Sequence, residues 1–339
     1  MIFQIIGLIF LLFFLGGLVF VFSGPKLLPD NVQAIIDDAM QLPIPNLTPG
    51  KTGFALNGKR KFYYEARPAV GPQKGTVLLI MGHSSTMMLF PEHFINPICE
   101  AGYQVIRYDN RGTGQSDWVK DWNRKNAYDL EDMVGDGLAV LDANGVQQAH
   151  VVGVSMGGMI AQSMAIHYGD RVKTLTSIMS SGYMMDPEIK AVNPAYQKEL
   201  VRRILRYMLI GGPKNTMRLS FCILHILRGE ATYPLGFKET ALRIRFETEQ
   251  GRKYNKSVGL QHTTAINRSG SRLEALSKLE TPTLVIHGRK DPLVYPAHAE
   301  KYASLLPNGR MHWIEDMGHD LNAANTGEMV REILGHVER

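Results

Sequence analysis

The sequence predicts an α/β fold in which a mainly parallel, twisted sheet is flanked by helices and carries an inserted helical cap. Short apolar runs alternate with helix-length segments, which is the pattern of βαβ units. One apolar run, at residues 150–152, leads through Gly153-Val154-Ser155-Met156-Gly157 directly into a helical pattern. With 339 residues, 45% of them apolar, the chain can bury the core of one large domain.

The order of the predicted elements begins with antiparallel strands. Residues 52–56 and 61–66 flank Asn57-Gly58, a dipeptide that tolerates positive φ and favours a hairpin turn. The strands predicted after this hairpin are the apolar runs at residues 77–80, 105–108, 150–152, 175–179, 283–287 and 311–314. A long segment of helical pattern separates the fourth and fifth of these runs. It predicts a cap over the carboxyl edge of the sheet.

The apolar N-terminus predicts a membrane anchor at residues 1–22. No charged residue occurs from Ile2 to Phe22, and this length suffices to cross about 30 Å of hydrocarbon as a helix. A cleaved signal peptide would show a basic start and a small-residue exit, and the sequence has neither. We therefore predict a single-pass N-terminal anchor at a membrane. Lys26 is the only basic residue near it, which leaves the side of the membrane undecided.

These patterns divide the rest of the chain into three parts. Residues 23–50 contain several prolines around a short amphipathic stretch and predict a linker with one small helix. Residues 51–180 and 273–339 are the predicted α/β core, and residues 181–272 are the predicted cap. One cap helix has most of its basic residues away from its apolar face, namely Lys198, Arg202, Arg203 and Arg206. This predicts a solvated basic face, with contact to a membrane surface as the alternative.

Charge and cysteine content exclude several classes of partner. The net charge is a modest +5 and no Lys/Arg block is interleaved with aromatics, so no nucleic-acid partner is predicted. Cys99 and Cys222 lie far apart without metal-ligand spacing, so neither a metal site nor a disulfide framework is indicated. Gly112-x-Gly114 lacks the further glycine of a dinucleotide site, and no cofactor is predicted. The sequence carries no signal for an oligomeric state.

Ser155 is the predicted nucleophile. A serine on a sharp strand-to-helix turn needs glycine two residues before and two after it, because the strand and helix backbones nearly touch there. Gly153 and Gly157 meet that need. The glycine spacing alone is a weak signal, and the strand before it and the helix after it make it specific. The alternative is a glycine-rich turn with an idle serine.

A serine hydroxyl needs a base that accepts its proton and a carboxylate that orients this base. Asp291 follows the strand predicted at residues 283–287, and His319 follows the strand predicted at residues 311–314. The order Ser, Asp, His along the chain is the one expected for a triad on an α/β sheet. We therefore predict Asp291 as the triad acid and His319 as the base.

Other acids and histidines are weaker candidates for the triad. Asp316 and Asp320 flank His319 in sequence, but adjacency along a loop does not give the required side-chain geometry, and Glu315 is weaker still. Packing or surface roles are expected for three further histidines, which are His287, His298 and His312.

The developing oxyanion needs two preorganised donors. The backbone N–H of Met156 is one, because it follows the nucleophile at the start of a helix. The second is expected from the loop after the first central strand, and we predict the backbone N–H of His83. The hydroxyls of Ser84 and Ser85 are alternative hydrogen-bonding groups for this loop or for the substrate.

Together these motifs resemble the α/β-hydrolase superfamily, in particular its esterase branch that includes aclacinomycin methylesterase-like proteins. The resemblance runs from residue 52 to the C-terminus and rests on the segments 78–82, 107–116, 150–158, 269–272, 282–292 and 318–319. It implies triad roles for the three residues chosen above and oxyanion roles for the two backbone donors. The chain departs from the pattern at Gly82-His83, where many relatives have His-Gly, and in its apolar N-terminus.

The sequence therefore predicts a membrane-anchored serine carboxylesterase of the EC 3.1.1 class. Its expected partners are a small-molecule ester, lipophilic in character, and the membrane that holds the N-terminal helix. Two alternatives stay open. The same triad on the same scaffold also serves hydrolysis of carbon–carbon or amide bonds, and an α/β-hydrolase homologue can bind ligands without turnover.

Overall fold

A single sheet organises the computed structural model, which describes residues 15–190, 192, 194–252 and 255–339. The strands of this sheet are β1 (Lys51–Asn57), β2 (Arg60–Arg67), β3 (Gly75–Ile80), β4 (Tyr103–Tyr108), β5 (Ala149–Val154), β6 (Val172–Ile178), β7 (Thr283–Gly288) and β8 (Gly309–Ile314). Their order across the sheet is β1-β2-β4-β3-β5-β6-β7-β8.

Helices precede, connect and follow the strands. They are α1 (Val32–Gln41), α2 (Glu92–Glu100), α3 (Leu130–Ala143), α4 (Met156–His167), α5 (Pro194–Ile210), α6 (Pro213–Arg228), α7 (Phe237–Glu249), α8 (Val258–Arg268), α9 (Leu273–Leu276), α10 (Pro296–Ala303) and α11 (Ala323–Val337). Each predicted strand lies within an observed one, apart from residue 179, which directly follows β6.

The pairing of the strands confirms a mainly parallel sheet. β1 and β2 form the predicted antiparallel hairpin, whose turn has Gly58 at φ +58°, and β2 is antiparallel to β4. The pairs from β4 through β3 to β8 are all parallel. The carboxyl ends of β3, β5, β7 and β8 therefore meet at one edge of the sheet, which is where an open α/β sheet binds its ligand.

Two apolar layers hold helices on the two faces of the sheet. On one face, Met133 of α3 and Ile160 of α4 pack with Leu78 and Val151. On the other face, α2 and α11 supply Phe94, Ile98, Met329 and Ile333. Burial of each such side chain contributes about 1.5–3 kcal/mol, so these layers fix the strands that position the site.

The predicted insertion is present as α5, α6, α7 and α8, which lie between β6 and β7 in the chain. The last of them, α8, is attached to the core, since Ala265 joins the same apolar layer as α3 and α4, and the Leu130 N–H donates to Ser269 Oγ over 2.8 Å. The helical cap is therefore confirmed, while the exact boundary at residue 272 stays a prediction.

The segment predicted as a linker carries α1, which packs against the cap. Ile36 and Ala39 are buried in a cluster shared with α6 and α7, where their partners are Met217, Phe221, Ala241 and Ile244. Arg245 of α7 donates to the Leu42 carbonyl over 2.7 Å. Residues 32–42 are thus bound to the cap along one face.

Two arginines predicted on a solvated face are buried instead. Arg202 donates through Nε to the Phe20 carbonyl over 2.8 Å, and Arg203 donates to the Pro25 carbonyl. Both also pair with Glu199 within α5. The prediction of a solvated face was wrong for these two residues, because the chain entering from the N-terminus covers them.

The predicted anchor falls partly outside the described residues, which begin at residue 15. Residues 15–22 are helical, and the Phe20 ring lies under the Arg202 guanidinium at 4.8 Å from its centroid. Across the ranges given above, no helix combines the length and the apolar character needed to cross a membrane.

Candidate active site

Ser155 lies on a sharp turn between β5 and α4. Its φ of +56° and ψ of −120° lie outside the regions that ordinary residues prefer, and its N–H donates to the Ile178 carbonyl over 2.9 Å. Ser180 Oγ donates to the Ser155 carbonyl over 2.8 Å. Hydrogen bonds with Ile178 at the end of β6 and with Ser180 just after it therefore hold Ser155 at the carboxyl edge of the sheet.

The flanking glycines are required by backbone contact. A Cβ at Gly153 would lie 2.1 Å from the Gly157 carbonyl oxygen, and a Cβ at Gly157 would lie 2.0 Å from the Ile80 carbonyl oxygen. Both contacts are with backbone atoms, so no movement of a side chain can relieve them. The backbones of β5, β3 and α4 thus approach so closely that both positions need glycine.

We expect Gly157→Ala to destabilise the fold by about 3 kcal/mol or more, because the backbone of α4 or β3 must shift. Thermal unfolding followed by circular dichroism measures this. Gly327→Ala in α11 is the matched control, since Gly327 has no atom within 4 Å of its Cβ position. This control is expected to raise stability by about 0.5–1 kcal/mol. Equal unfolding temperatures for the two variants would contradict the contact argument.

The structure brings the three predicted triad residues into one hydrogen-bonded row. His319 Nε2 lies 3.0 Å from Ser155 Oγ, and His319 Nδ1 lies 2.7 Å from Asp291 Oδ2. The other carboxylate oxygen of Asp291 accepts the N–H groups of Leu293 and Val294, each over 2.8 Å. His319 and Asp291 are buried. This is the geometry of a nucleophile, a base and an orienting carboxylate.

The two aspartates near His319 have hydrogen-bond partners other than the histidine ring, and each of them binds a residue of the cap. Asp316 accepts hydrogen bonds from Lys290 Nζ over 2.7 Å and from Thr232 Oγ1 over 2.8 Å. The Lys290 bond, together with Thr232, lowers the Asp316 pKa to about 2. Asp320 accepts a hydrogen bond from the Tyr233 hydroxyl, and burial raises the pKa of Asp320.

These contacts form part of a larger attachment between the cap and the histidine loop (residues 315–320). The His319 backbone N–H donates to the Leu227 carbonyl of α6 over 2.8 Å. A Cβ at Gly318 would lie 2.4 Å from that same carbonyl oxygen. The close approach of the cap therefore requires glycine at position 318.

Both predicted oxyanion donors lie beside Ser155. The Met156 N–H is at the first position of α4, and His83 belongs to the oxyanion loop (residues 81–86) that follows β3. A Cβ at Gly82 would lie 3.1 Å from Ser155 Cβ, so the loop passes directly beside the predicted nucleophile. In the part of the chain that the structure describes, neither the His83 N–H nor the Met156 N–H has a protein acceptor.

The loop that follows β4, residues 109–116, supports the oxyanion loop through hydrogen bonds. Asn110 Nδ2 donates to the Met81 carbonyl over 2.7 Å, and the Met87 N–H donates to Asp109 Oδ1 over 2.9 Å. A Cβ at Gly114 would lie 2.0 Å from Asp109 Oδ2. Gly112-x-Gly114 therefore belongs to the turn that supports the oxyanion loop.

Two buried histidines near the site were given no functional role by the sequence argument. His287 Nε2 donates to the Val294 carbonyl over 2.8 Å and lies 3.4 Å from Asp291 Oδ2. His262 lies on the buried face of α8 and contacts the oxyanion loop. The sequence feature that could have indicated His262 is its position on the apolar face of the helix at residues 258–268. Among residues 15–190, 192, 194–252 and 255–339, no group of three or more His, Cys, Asp or Glu side chains could hold a metal ion.

The parallel sheet and the serine on its strand-to-helix turn are those of an α/β hydrolase. The chain belongs to the α/β-hydrolase fold family, whose model matches residues 75–325. This match spans most of the sheet and the whole cap.

Curated relatives extend this likeness to enzymes. Rhodomycin D methylesterase DauP of Streptomyces sp. (strain C5) is 28% identical over 78% of this chain and 91% of its own length. A 2-hydroxy-6-oxononadienedioate/2-hydroxy-6-oxononatrienedioate hydrolase of Burkholderia vietnamiensis is 27% identical over 72% of this chain and 80% of its own length. The chain is a hydrolase, and the first relative supports the esterase branch.

A solved structure of a membrane phospholipase A has the same fold. It aligns with a TM-score of 0.65 over 100% of both chains, at 19% sequence identity.

Proposed function

We propose that the chain is a membrane-anchored serine carboxylesterase that hydrolyses lipophilic carboxylic esters through an acyl-enzyme. The observation that carries this proposal is the unbroken row from Ser155 Oγ through His319 to Asp291 at the carboxyl edge of the sheet. Ser155 is hydrogen-bonded to the proposed base, and this base is hydrogen-bonded to the proposed carboxylate. The two proposed oxyanion donors lie beside the serine.

In the acylation half-reaction, Ser155 Oγ attacks the ester carbonyl carbon while its proton passes to His319 Nε2. The carbonyl oxygen becomes an oxyanion and accepts hydrogen bonds from the N–H groups of Met156 and His83. Collapse of this intermediate breaks the bond to the alcohol oxygen, which takes the proton from His319. Asp291 keeps the other ring proton on Nδ1 and stabilises the positive charge on the imidazole.

Deacylation repeats these steps with water as the nucleophile. His319 Nε2 accepts a proton from water as the water oxygen attacks the acyl carbon. The second oxyanion is held by the same two N–H groups. Its collapse returns the proton to Ser155 Oγ and releases the carboxylic acid, so that the enzyme is regenerated without a redox partner.

The class of substrate is supported by three observations. The relative from Streptomyces is named for hydrolysis of a methyl ester. The cap over the site is helical and has apolar residues along its helices. Residues 1–22 have the length and composition of a membrane-spanning helix, which would keep the enzyme close to esters dissolved in lipid.

The proposal is tested with the full-length chain in detergent micelles and p-nitrophenyl esters from acetate to palmitate. We expect turnover at every length that the pocket admits and an optimum above acetate. A fluorophosphonate probe is expected to label one site, which mass spectrometry assigns to Ser155. A folded enzyme that is labelled but hydrolyses no ester would refute the esterase proposal, and a folded protein that is not labelled would favour a ligand-binding homologue.

Membrane anchoring has its own test. Membranes from cells that express the full chain are washed with alkaline carbonate, which removes peripheral proteins. The full chain is expected to stay in the membrane pellet, whereas a chain beginning at residue 23 is expected in the supernatant. Recovery of the full chain in the supernatant would refute the anchor.

Carbon–carbon bond hydrolysis is a second candidate, since one relative is named for 2-hydroxy-6-oxononadienedioate, a compound that contains no ester. If this candidate is correct, the chain hydrolyses a vinylogous 1,5-diketone acid and does not hydrolyse the p-nitrophenyl esters. The comparison of the two substrate classes in one assay decides between them.

A further inference from the structure

Helix α8 carries a buried histidine that binds the oxyanion loop. The Ser84 N–H donates to His262 Nδ1 over 3.0 Å. The other ring nitrogen, Nε2, lies 2.9 Å from the Arg111 carbonyl oxygen, which can only accept a hydrogen bond. The ring proton therefore lies on Nε2, and Nδ1 is an unprotonated acceptor for the loop.

The charge state of His262 is set by its surroundings. Its side chain is fully buried, and burial lowers its pKa to about 3, with a further contribution from nearby His83. The ring is therefore uncharged at neutral pH. One ring nitrogen donates and the other accepts, and both are occupied by backbone groups.

His83 is held by the same helix. Its Nε2 lies 2.9 Å from the Gly259 carbonyl oxygen and 3.0 Å from Thr263 Oγ1, while Ser84 Oγ lies 3.0 Å from its Nδ1. The rings of His83 and His262 pack edge to face with centroids 5.6 Å apart. Two successive residues of the oxyanion loop are thus bound to α8.

The backbone of Ser84 needs this support. Its φ is +56°, a left-handed conformation that costs a serine about 1 kcal/mol and persists only where surrounding contacts stabilise it. The bond to His262 also occupies the Ser84 N–H. The preceding N–H, that of His83, has no protein acceptor among the residues that the structure describes.

We propose that His262 is a positioning residue for the oxyanion hole. Its Nδ1 holds the Ser84 N–H and thereby directs the His83 N–H toward the place where the ester oxyanion develops. This role rests on the proposed serine-hydrolase function. His262 acts through the oxyanion loop and does not contact the substrate.

The test compares His262→Phe with His262→Asn in the full-length chain. Phe keeps a planar aromatic ring but loses both hydrogen bonds, whereas the side-chain oxygen of Asn can accept the Ser84 N–H in place of Nδ1. We expect His262→Phe to lower kcat for p-nitrophenyl butyrate about 30-fold with KM nearly unchanged, since oxyanion donors act in the transition state. The kcat of His262→Asn is expected to be about tenfold higher than that of His262→Phe.

A control separates positioning from general destabilisation. His336 is also buried, and its Nε2 lies 3.2 Å from the carbonyls of Leu175 and Pro282, far along the chain from the oxyanion loop. His336→Phe is expected to lower the unfolding temperature but to change kcat by less than about threefold. A loss of kcat in His262→Phe no greater than in His336→Phe, or no recovery in His262→Asn, would overturn the proposal.

Two further readouts keep this proposal distinct from the esterase proposal. The fluorophosphonate labelling rate of Ser155 depends on the oxyanion hole even if no ester is a substrate, and His262→Phe is expected to slow it about tenfold. Hydrogen–deuterium exchange of the peptide that contains Ser84 needs no activity at all. Exchange there is expected to quicken in His262→Phe and to stay slow in His262→Asn, and equal exchange in the two variants would refute the role of His262.

Discussion

Ser155→Ala is expected to lower kcat for ester hydrolysis about a millionfold, because loss of the nucleophile leaves only the oxyanion donors and substrate binding to assist water. The hydroxyl has one strong partner in the site, His319 Nε2 at 3.0 Å. Its removal leaves the turn itself unchanged, since the backbone bonds of Ser155 with Ile178 and Ser180 do not involve Oγ. The fold is therefore expected to be retained.

The measurement is the initial rate with p-nitrophenyl butyrate, together with fluorophosphonate labelling and the unfolding temperature. Ser304→Ala is the matched control, because Ser304 is an exposed serine whose hydroxyl donates within α10 to the Lys301 carbonyl. We expect this control to keep full activity. Activity of Ser155→Ala above about a thousandth of the wild-type rate would show that another group is the nucleophile.

Asp291→Asn is expected to lower kcat about ten-thousandfold, because it reverses the tautomer of His319. Asp291 Oδ1 accepts two backbone N–H groups, from Leu293 and Val294, so the amide oxygen of the new side chain is held there. Its NH2 group then faces His319 Nδ1, which must become the acceptor. The ring proton moves to Nε2, and Nε2 can no longer accept the proton of Ser155.

Asp316→Asn is the control for this second prediction. Asp316 lies three residues before His319, but its carboxylate binds Lys290 and Thr232. Its loss is expected to change kcat by less than about threefold. The pH–rate profiles of both variants are measured with the same ester. If Asp316→Asn were the slower variant, the assignment of the triad acid would be wrong.

Much of the fold could be predicted because the signals are local. The alternation of apolar runs and helical patterns gave each strand of the parallel sheet, and Asn57-Gly58 gave the hairpin that precedes it. The positions of Asp291 and His319 followed from a rule of topology, because residues after parallel strands meet at one sheet edge. The hydrogen-bonded row agrees with that rule.

The remaining features depend on contacts between segments that lie far apart in the chain. Asp316 and Asp320 bind Thr232 and Tyr233, more than eighty residues away, and no pattern near His319 reveals these partners. His262 is separated from Ser84 by 178 residues. Arg202 has the sequence context of a solvated residue, and only the path of the N-terminal segment explains its burial.

The attachment of the N-terminal segment to the cap gives this segment a path of non-covalent contacts to the histidine loop. Phe20 and Pro25 are bound to α5 through Arg202 and Arg203, and α1 packs against α6 and α7. From α6, the Leu227 carbonyl connects directly to the backbone of His319. The segment that precedes the first strand is therefore connected, through contacts of the cap, to the residue proposed as the catalytic base.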